Sequence, residues 1–244
     1  MEAELLIPVI IFLGGTVYAT FGFGDALFAM PFLSLIIGIK TATPLMTLNG
    51  LTLSAMMMAR HYKTIDWKAA GRLVVASFLG VPIGIYFLKY GNEQVAKIIL
   101  GVIIVLVSLY NLLLRKKATT SIPNNWAYFF GFIAGILGGA FNTGGPSVVI
   151  FGTLSNWTQM QFISTLQGYF LPNGIFIVLC QLFTGLLNKT VFNYYLTSIP
   201  FLFLGLLTGS RLRKKIPEGK FNNYIFFLLL MIGILFIVRT VLQT

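Results

Sequence analysis

The chain has 244 residues, of which 57% are hydrophobic and only 9% charged, with a formal net charge of +11. A mean hydropathy of +0.88 is far above what an aqueous globular domain sustains, which excludes a soluble enzyme or binding module and makes this an integral membrane protein. The basic residues fall in short loops beside apolar runs and build no basic face, so the expected surroundings are a lipid bilayer and no nucleic acid.

The first apolar run, 5–20, follows Met1-Glu2-Ala3-Glu4. A secretory signal would need a basic start, so this run is expected to stay in the mature protein. Further runs cover 26–39, 42–59, 69–88, 94–114, 126–141, 146–156, 158–187, 191–210 and 221–238. Several reach the roughly 20 residues that span a bilayer as a helix. Pro172-Asn173-Gly174 interrupts the longest run and predicts either a kink or a hinge. Trp67, Trp126 and Trp157 lie near span ends, as interfacial anchors do. His61, between Arg60 and Lys63, reads as a solvated loop residue. Cys180 stands alone in an apolar run and reads as a small packed side chain, with no disulfide or metal cluster to join. No cofactor and no metal are expected.

Three short matches in the same order point to a duplicated unit. Phe21-Gly22-Phe23-Gly24-Asp25-Ala26 answers Phe141-Asn142-Thr143-Gly144-Gly145-Pro146, and Leu48-Asn49-Gly50 answers Leu166-Gln167-Gly168. Phe78-Leu79-Gly80 with Gly84 answers Phe203-Leu204-Gly205 with Gly209. The expected organisation is a first transmembrane repeat over 1–117, a cytoplasmic linker over 118–125 and a second repeat over 126–244.

Lys and Arg set the orientation. Arg60, Lys63, Lys68 and Arg72 mark one cytoplasmic loop, Arg115, Lys116 and Lys117 a second, and Arg211, Arg213, Lys214, Lys215 and Lys220 a third. Lys40, Lys89, Lys97, Lys189 and Arg239 are scattered singly and are expected outside, with both termini. The two short runs that open each half must then leave and return to the same side. The predicted fold is an all-α polytopic membrane protein with an inverted-topology repeat, each half a short broken-helix hairpin plus three transmembrane helices. Secondary transporters often have this architecture, and paired interruptions at matching positions of the two halves point to the transport site.

At these breaks the sequence resembles the TauE/SafE family of sulfite exporter-type transporters. The resemblance is carried by "GFGDALFAMPFL" (22–33), "GFIAGILGGAFNTGGPSVVIF" (131–151) and "LQGYFLPN" (166–173), and it runs over essentially the full chain. Ser147 stands where family members often have a second proline. The resemblance implies export or uptake of small oxyanions such as sulfite, or of sulfonates, across a bacterial inner membrane.

Helices restarting after Gly24 and Gly145 would aim free backbone amides and positive dipole ends at the protein's centre, a ready site for an anion. Gly22, Gly24, Gly144 and Gly145 would let it approach the backbone, and Pro146 suits a first helical turn. Asn142, Thr143, Asn49, Gln167, Tyr169 and Asn173 are the candidate hydrogen-bond donors. The competing reading is that these small and polar residues merely pack helices, which is the preferred reading for Gly80, Gly84, Gly205 and Gly209. Asp25 is the one acid in the predicted interior and is expected to face a cavity. It either caps the helix that starts at Ala26 or titrates against the anion and couples transport to protons, and the two roles are compatible.

The leading expectation is a secondary transporter, not an enzyme, moving a small anionic substrate by alternating access with protons as the coupling partner. An anion channel is the alternative, and an intramembrane enzyme is disfavoured by the lack of an HExxH motif, paired carboxylates or a nucleophile with a nearby base. A homodimer is one admissible assembly.

Overall fold

A computed structural model describes residues 6–114, 122–215 and 220–242. The N-terminal Glu2 and Glu4, the basic cluster Arg115–Lys117 and residues 118–121 of the expected linker lie outside the described residues.

Ten α-helices are present among the described residues: α1 (Leu6–Phe21), α2 (Asp25–Ile36), α3 (Ile39–His61), α4 (Trp67–Tyr90), α5 (Glu93–Leu109), α6 (Trp126–Phe141), α7 (Gly145–Leu154), α8 (Gln159–Phe183), α9 (Lys189–Lys215) and α10 (Lys220–Leu242). Their lengths are 16, 12, 23, 24 and 17 residues for α1–α5 and 16, 10, 25, 27 and 23 for α6–α10. Among the described residues four stretches are long and apolar enough to cross a membrane: Trp67–Tyr90, Glu93–Leu113, Met160–Phe183 and Lys189–Arg213. At 1.5 Å per residue, α1 and α6 reach about 24 Å, α2 about 18 Å and α7 about 15 Å. Each is shorter than a hydrocarbon core of roughly 30 Å, so the chain breaks within the depth of the bundle.

Glycine seams pull the outer helices onto the broken ones. A Cβ at Gly80 or Gly84 of α4 would fall inside 3.0 Å of the α6 carbonyl oxygens of Phe132 and Ile136. Gly131, Gly135 and Gly139 of α6 meet the α4 carbonyls of Leu73, Ser77 and Val81 in return. On the other side, Gly205 and Gly209 of α9 lie against Phe12 and Thr16 of α1. These glycines therefore pack, as their spacing predicts, because only a hydrogen fits where two helix backbones touch. The principal pairings are α4 with α6 and α1 with α9, so the fourth helix of each set embraces the first helix of the other.

α3 and α8 pass between these pairs and pack on each other. α3 is 23 residues long but falls outside the span candidates, because Thr43, Thr47, Asn49 and Ser54 dilute its hydropathy. All four are buried, so its polar groups face protein and not lipid, where they would go unsatisfied. α8 runs unbroken through Pro172. At one end of the molecule, Lys40 Nζ donates to the Lys89 carbonyl at 3.0 Å, and Lys97 pairs with Glu93 at 3.0 Å. Glu93 also accepts from the Ile39 amide, tying the starts of α3 and α5 together. Trp67 and Trp126 are exposed at helix starts as expected. Trp157, half-buried between α7 and α8, lays its ring over Gly152 and packs edge-on against Phe151.

Candidate functional site

The first break joins α1 to α2 through Gly22 and Gly24, at φ +83° and +97°. This left-handed region costs glycine little and a side-chain-bearing residue much more. At the matching position of the second break, Asn142 also turns left-handed, at φ +55°, a conformation that asparagine tolerates better than most residues. Its Nδ2 donates to the Met46 carbonyl of α3 at 3.0 Å, which fixes the break against the central helices. α7 then opens at Gly145 with Pro146 in its first turn, where the missing N–H costs nothing.

Both breaks open into one cavity of about 50 Å³ between α3 and α8. One wall holds Gly24, Asp25, Ala26 and Leu27, and the facing wall holds Asn142, Thr143, Gly144, Gly145 and Pro146. Tyr169 and Asn173 of α8 complete the predicted set. The first free amides of α2 and α7 thus lie at a shared space, each with the partial positive charge of a helix start. In α2 the first return bond is from the Phe28 amide to the Gly24 carbonyl, which leaves the amides of residues 25–27 without helical acceptors.

Asp25 sits in the first turn of α2, with Gly24 as the residue that caps it. The cap therefore differs from the sequence expectation by one position: the helix starts at Asp25, and a glycine takes the left-handed entry. The Asp25 carboxylate is 6% exposed and lines the cavity, and its Oδ2 has no hydrogen-bond partner among the described residues. A Cβ at Gly50 would lie 3.7 Å from that oxygen and 3.5 Å from Asn142 Nδ2, so Gly50 separates the acid of one break from the amide of the other. Thr143, 2% exposed, also lines the cavity, and its buried Oγ1 has no hydrogen-bond partner among the described residues. A buried hydroxyl without a partner costs about 1–3 kcal/mol unless a ligand or water fills the place.

Not every predicted residue reaches the cavity. Gln167 is fully buried behind it, donating through Nε2 to the Gly22 carbonyl at 3.1 Å and accepting from the Tyr18 hydroxyl at 2.6 Å. Gly22 lies at the same junction and does not line the space. Asn49 is fully buried and also outside the lining. Gly144 lines it, but a Cβ there would come 2.5 Å from the Ala134 carbonyl oxygen, so packing against α6 already demands a glycine at that position. A Cβ at Gly145 would make only ordinary contacts with Phe170 and Phe23.

Sequence reasoning missed Tyr18, Phe23, Thr47 and Phe170, which line the space as well. Thr47 had a findable signal, a hydroxyl one turn from the paired Asn49-Gly50. The aromatic residues had none, being ordinary in so apolar a chain. Ser77 of α4 donates to Asn173 Oδ1 at 2.7 Å, and Asn173 Nδ2 donates to the Tyr169 hydroxyl at 3.2 Å. The α8 wall is thereby held in one arrangement. Ser147 uses its hydroxyl to bond the Phe130 carbonyl at 2.7 Å, securing α7 to α6 where a second proline could not.

Apolar helices wrapped around two chain breaks that share one small cavity define a multi-pass membrane protein. Residues 7–236 match the family model described as Sulfite exporter TauE/SafE, and the chain belongs to that family of membrane transporters. Among curated relatives, the probable inner membrane transporter protein TsaS of Comamonas testosteroni is 21% identical over 176 residues, 71% of this chain and 73% of its own. The probable membrane transporter protein YunE of Bacillus subtilis is 22% identical over 267 residues, 94% of this chain and 95% of its own. No solved structure matches the chain.

Proposed function

We propose that this protein is a secondary transporter that moves a small oxyanion, sulfite or a related sulfonate, across a bacterial inner membrane by alternating access coupled to protons. The observation that carries the reading is that both helix breaks, each at the start of a helix, line one cavity. The family description names sulfite export, and the name of the Comamonas relative gives an inner-membrane location. An anion at this place would accept from the amides of α2 and α7 and from Thr143 Oγ1, while Gly145 allows close approach.

The reciprocal α1–α9 and α4–α6 pairings support an inverted repeat, with α3 and α8 along its axis. The meeting of Lys40, Lys89 and Lys97 at one end supports placing all three outside, with both termini on that face. Asp25 is the element without a counterpart, since Gly145 holds its position in the second half. An ionised Asp25 repels the oxyanion and a protonated one admits it, which links substrate entry to a proton.

Purified protein in proteoliposomes is expected to show saturable sulfite counterflow that a pH gradient accelerates. Asp25→Asn is expected to keep sulfite binding and lose the response to the gradient. Flux that does not saturate would assign the protein to the channels, and unchanged gradient dependence in Asp25→Asn would remove Asp25 from the coupling.

A further inference from the structure

The central helices carry an amide at matching positions, Asn49 on α3 and Gln167 on α8, both fully buried. Their surroundings differ. Gln167 is bonded on both sides, by Nε2 to the Gly22 carbonyl and by Oε1 from the Tyr18 hydroxyl, so the first break is fastened to α8. Asn49 has no partner for either Nδ2 or Oδ1 among the described residues. It nevertheless sits beside the second break. Met46, one turn earlier on α3, receives the bond from Asn142 Nδ2, and a Cβ at the adjacent Gly50 would lie 3.5 Å from that nitrogen. Burying an amide with neither bond made forfeits its hydration and gains nothing in return. Packing in this one conformation would favour an apolar side chain of the same shape.

We infer that Asn49 and Gln167 are alternate latches on the two helix breaks. In the conformation described, Gln167 holds the Gly22 break. In the opposite-facing conformation Asn49 donates to the backbone carbonyl of Asn142, the position that corresponds to Gly22, and Gln167 lets go. The inference rests on the alternating-access reading, because two repeats that exchange conformations exchange their contacts as well. Asparagine is one methylene shorter than glutamine, so α3 must move toward the second break before the bond forms. That shortness keeps the two latches from closing together.

The test uses the full chain with Cys180→Ser and a reporter, Leu51→Cys, since Leu51 lines the cavity. A membrane-impermeant maleimide is applied to right-side-out and to inverted vesicles, and the ratio of the two labelling rates is read. Gln167→Leu removes the bonds to Gly22 and from Tyr18 and is expected to shift that ratio at least about tenfold toward one face. Asn49→Leu is expected to shift it about tenfold toward the other face. Shifts in the same direction, or none from Asn49→Leu, overturn the inference. Thermal unfolding of the purified variants adds an independent check. Asn49→Leu is expected to melt at or above the unmodified protein, and a fall of several degrees would show that Asn49 is bonded in the resting state and would also overturn it. Labelling requires no substrate, so absent sulfite flux in the unmodified protein would undo the substrate reading while leaving the latch result to stand or fall by itself.

Discussion

Replacing Gly205 by alanine would set a Cβ 2.5 Å from the carbonyl oxygen of Phe12 and 3.1 Å from the amide nitrogen of Thr16, both backbone atoms of α1. Carbon–oxygen contacts settle at about 3.3–3.6 Å, so α9 and α1 must part by roughly 0.8 Å or more. The backbone of α1 cannot rotate out of the way as a side chain would. Parting the helices loosens close contacts along the whole seam, including Gly209 against Thr16. Overpacking of this kind costs about 1–3 kcal/mol, partly offset by the better helix propensity of alanine, close to 1 kcal/mol. For a chain of this size each kcal/mol moves the melting temperature by about 2–4 °C, which gives a net fall of several degrees for Gly205→Ala. Gly71→Ala supplies the control, because nothing lies within 4 Å of a Cβ there and the propensity gain acts alone. Thermal unfolding of both variants in detergent, followed by loss of the monodisperse peak, measures the difference. A Gly205→Ala protein that melts as high as Gly71→Ala would refute the idea that backbone contact sets the glycine at this seam.

Thr143→Val removes a hydroxyl that bonds nothing among the described residues, so its melting temperature is expected to hold or rise while sulfite affinity falls about tenfold, the effect of one lost hydrogen bond. Isothermal titration or a thermal-shift series with sulfite reads both effects, and unchanged affinity would take Thr143 out of the site. Trp157→Ala empties the space over Gly152 and beside Phe151; a loss of about 3–5 kcal/mol is expected, visible as a large drop in folded yield. Ser77→Ala leaves Asn173 Oδ1 without its donor. Sulfite binding is expected to weaken several-fold, with about 1–3 kcal/mol of stability lost to the unpaired acceptor, and equal binding would show that Asn173 needs no such support.

The ten runs of the sequence correspond to ten α-helices among the described residues because a sustained apolar run in lipid must satisfy its backbone within itself, as a helix does. Element ends were less legible: α3 extends beyond the run 42–59 at both ends, since Gly38 and Ile39 carry no signal separating a loop from a helix start. Asp25 illustrates the same limit on the site. Its presence at a glycine-rich break was plain, but its place as the first helical residue, one position after a left-handed Gly24, depends on backbone angles that composition does not encode. Gln167 and Asn49 looked alike as amides at paired positions. The structure separates them, one fully bonded and one bonded to nothing described, because partners on α1 and at the first break come from chain segments more than a hundred residues away.

The sequence by itself determined that this chain is a multi-pass membrane protein and that glycine-rich stretches, at 22–24 and 144–145, interrupt its apolar runs. Those properties are local, since hydropathy and glycine placement act over a few turns of helix. Tertiary packing alone decided that the two breaks share one cavity, that Thr143 and Asp25 line it with a side-chain oxygen each left unpartnered among the described residues, and that Gln167 and Gly22 stand behind it. The physical reason is that a polar side chain's role follows from which distant backbone group meets it, and the crossing of α4 with α6 and of α1 with α9 sets that meeting.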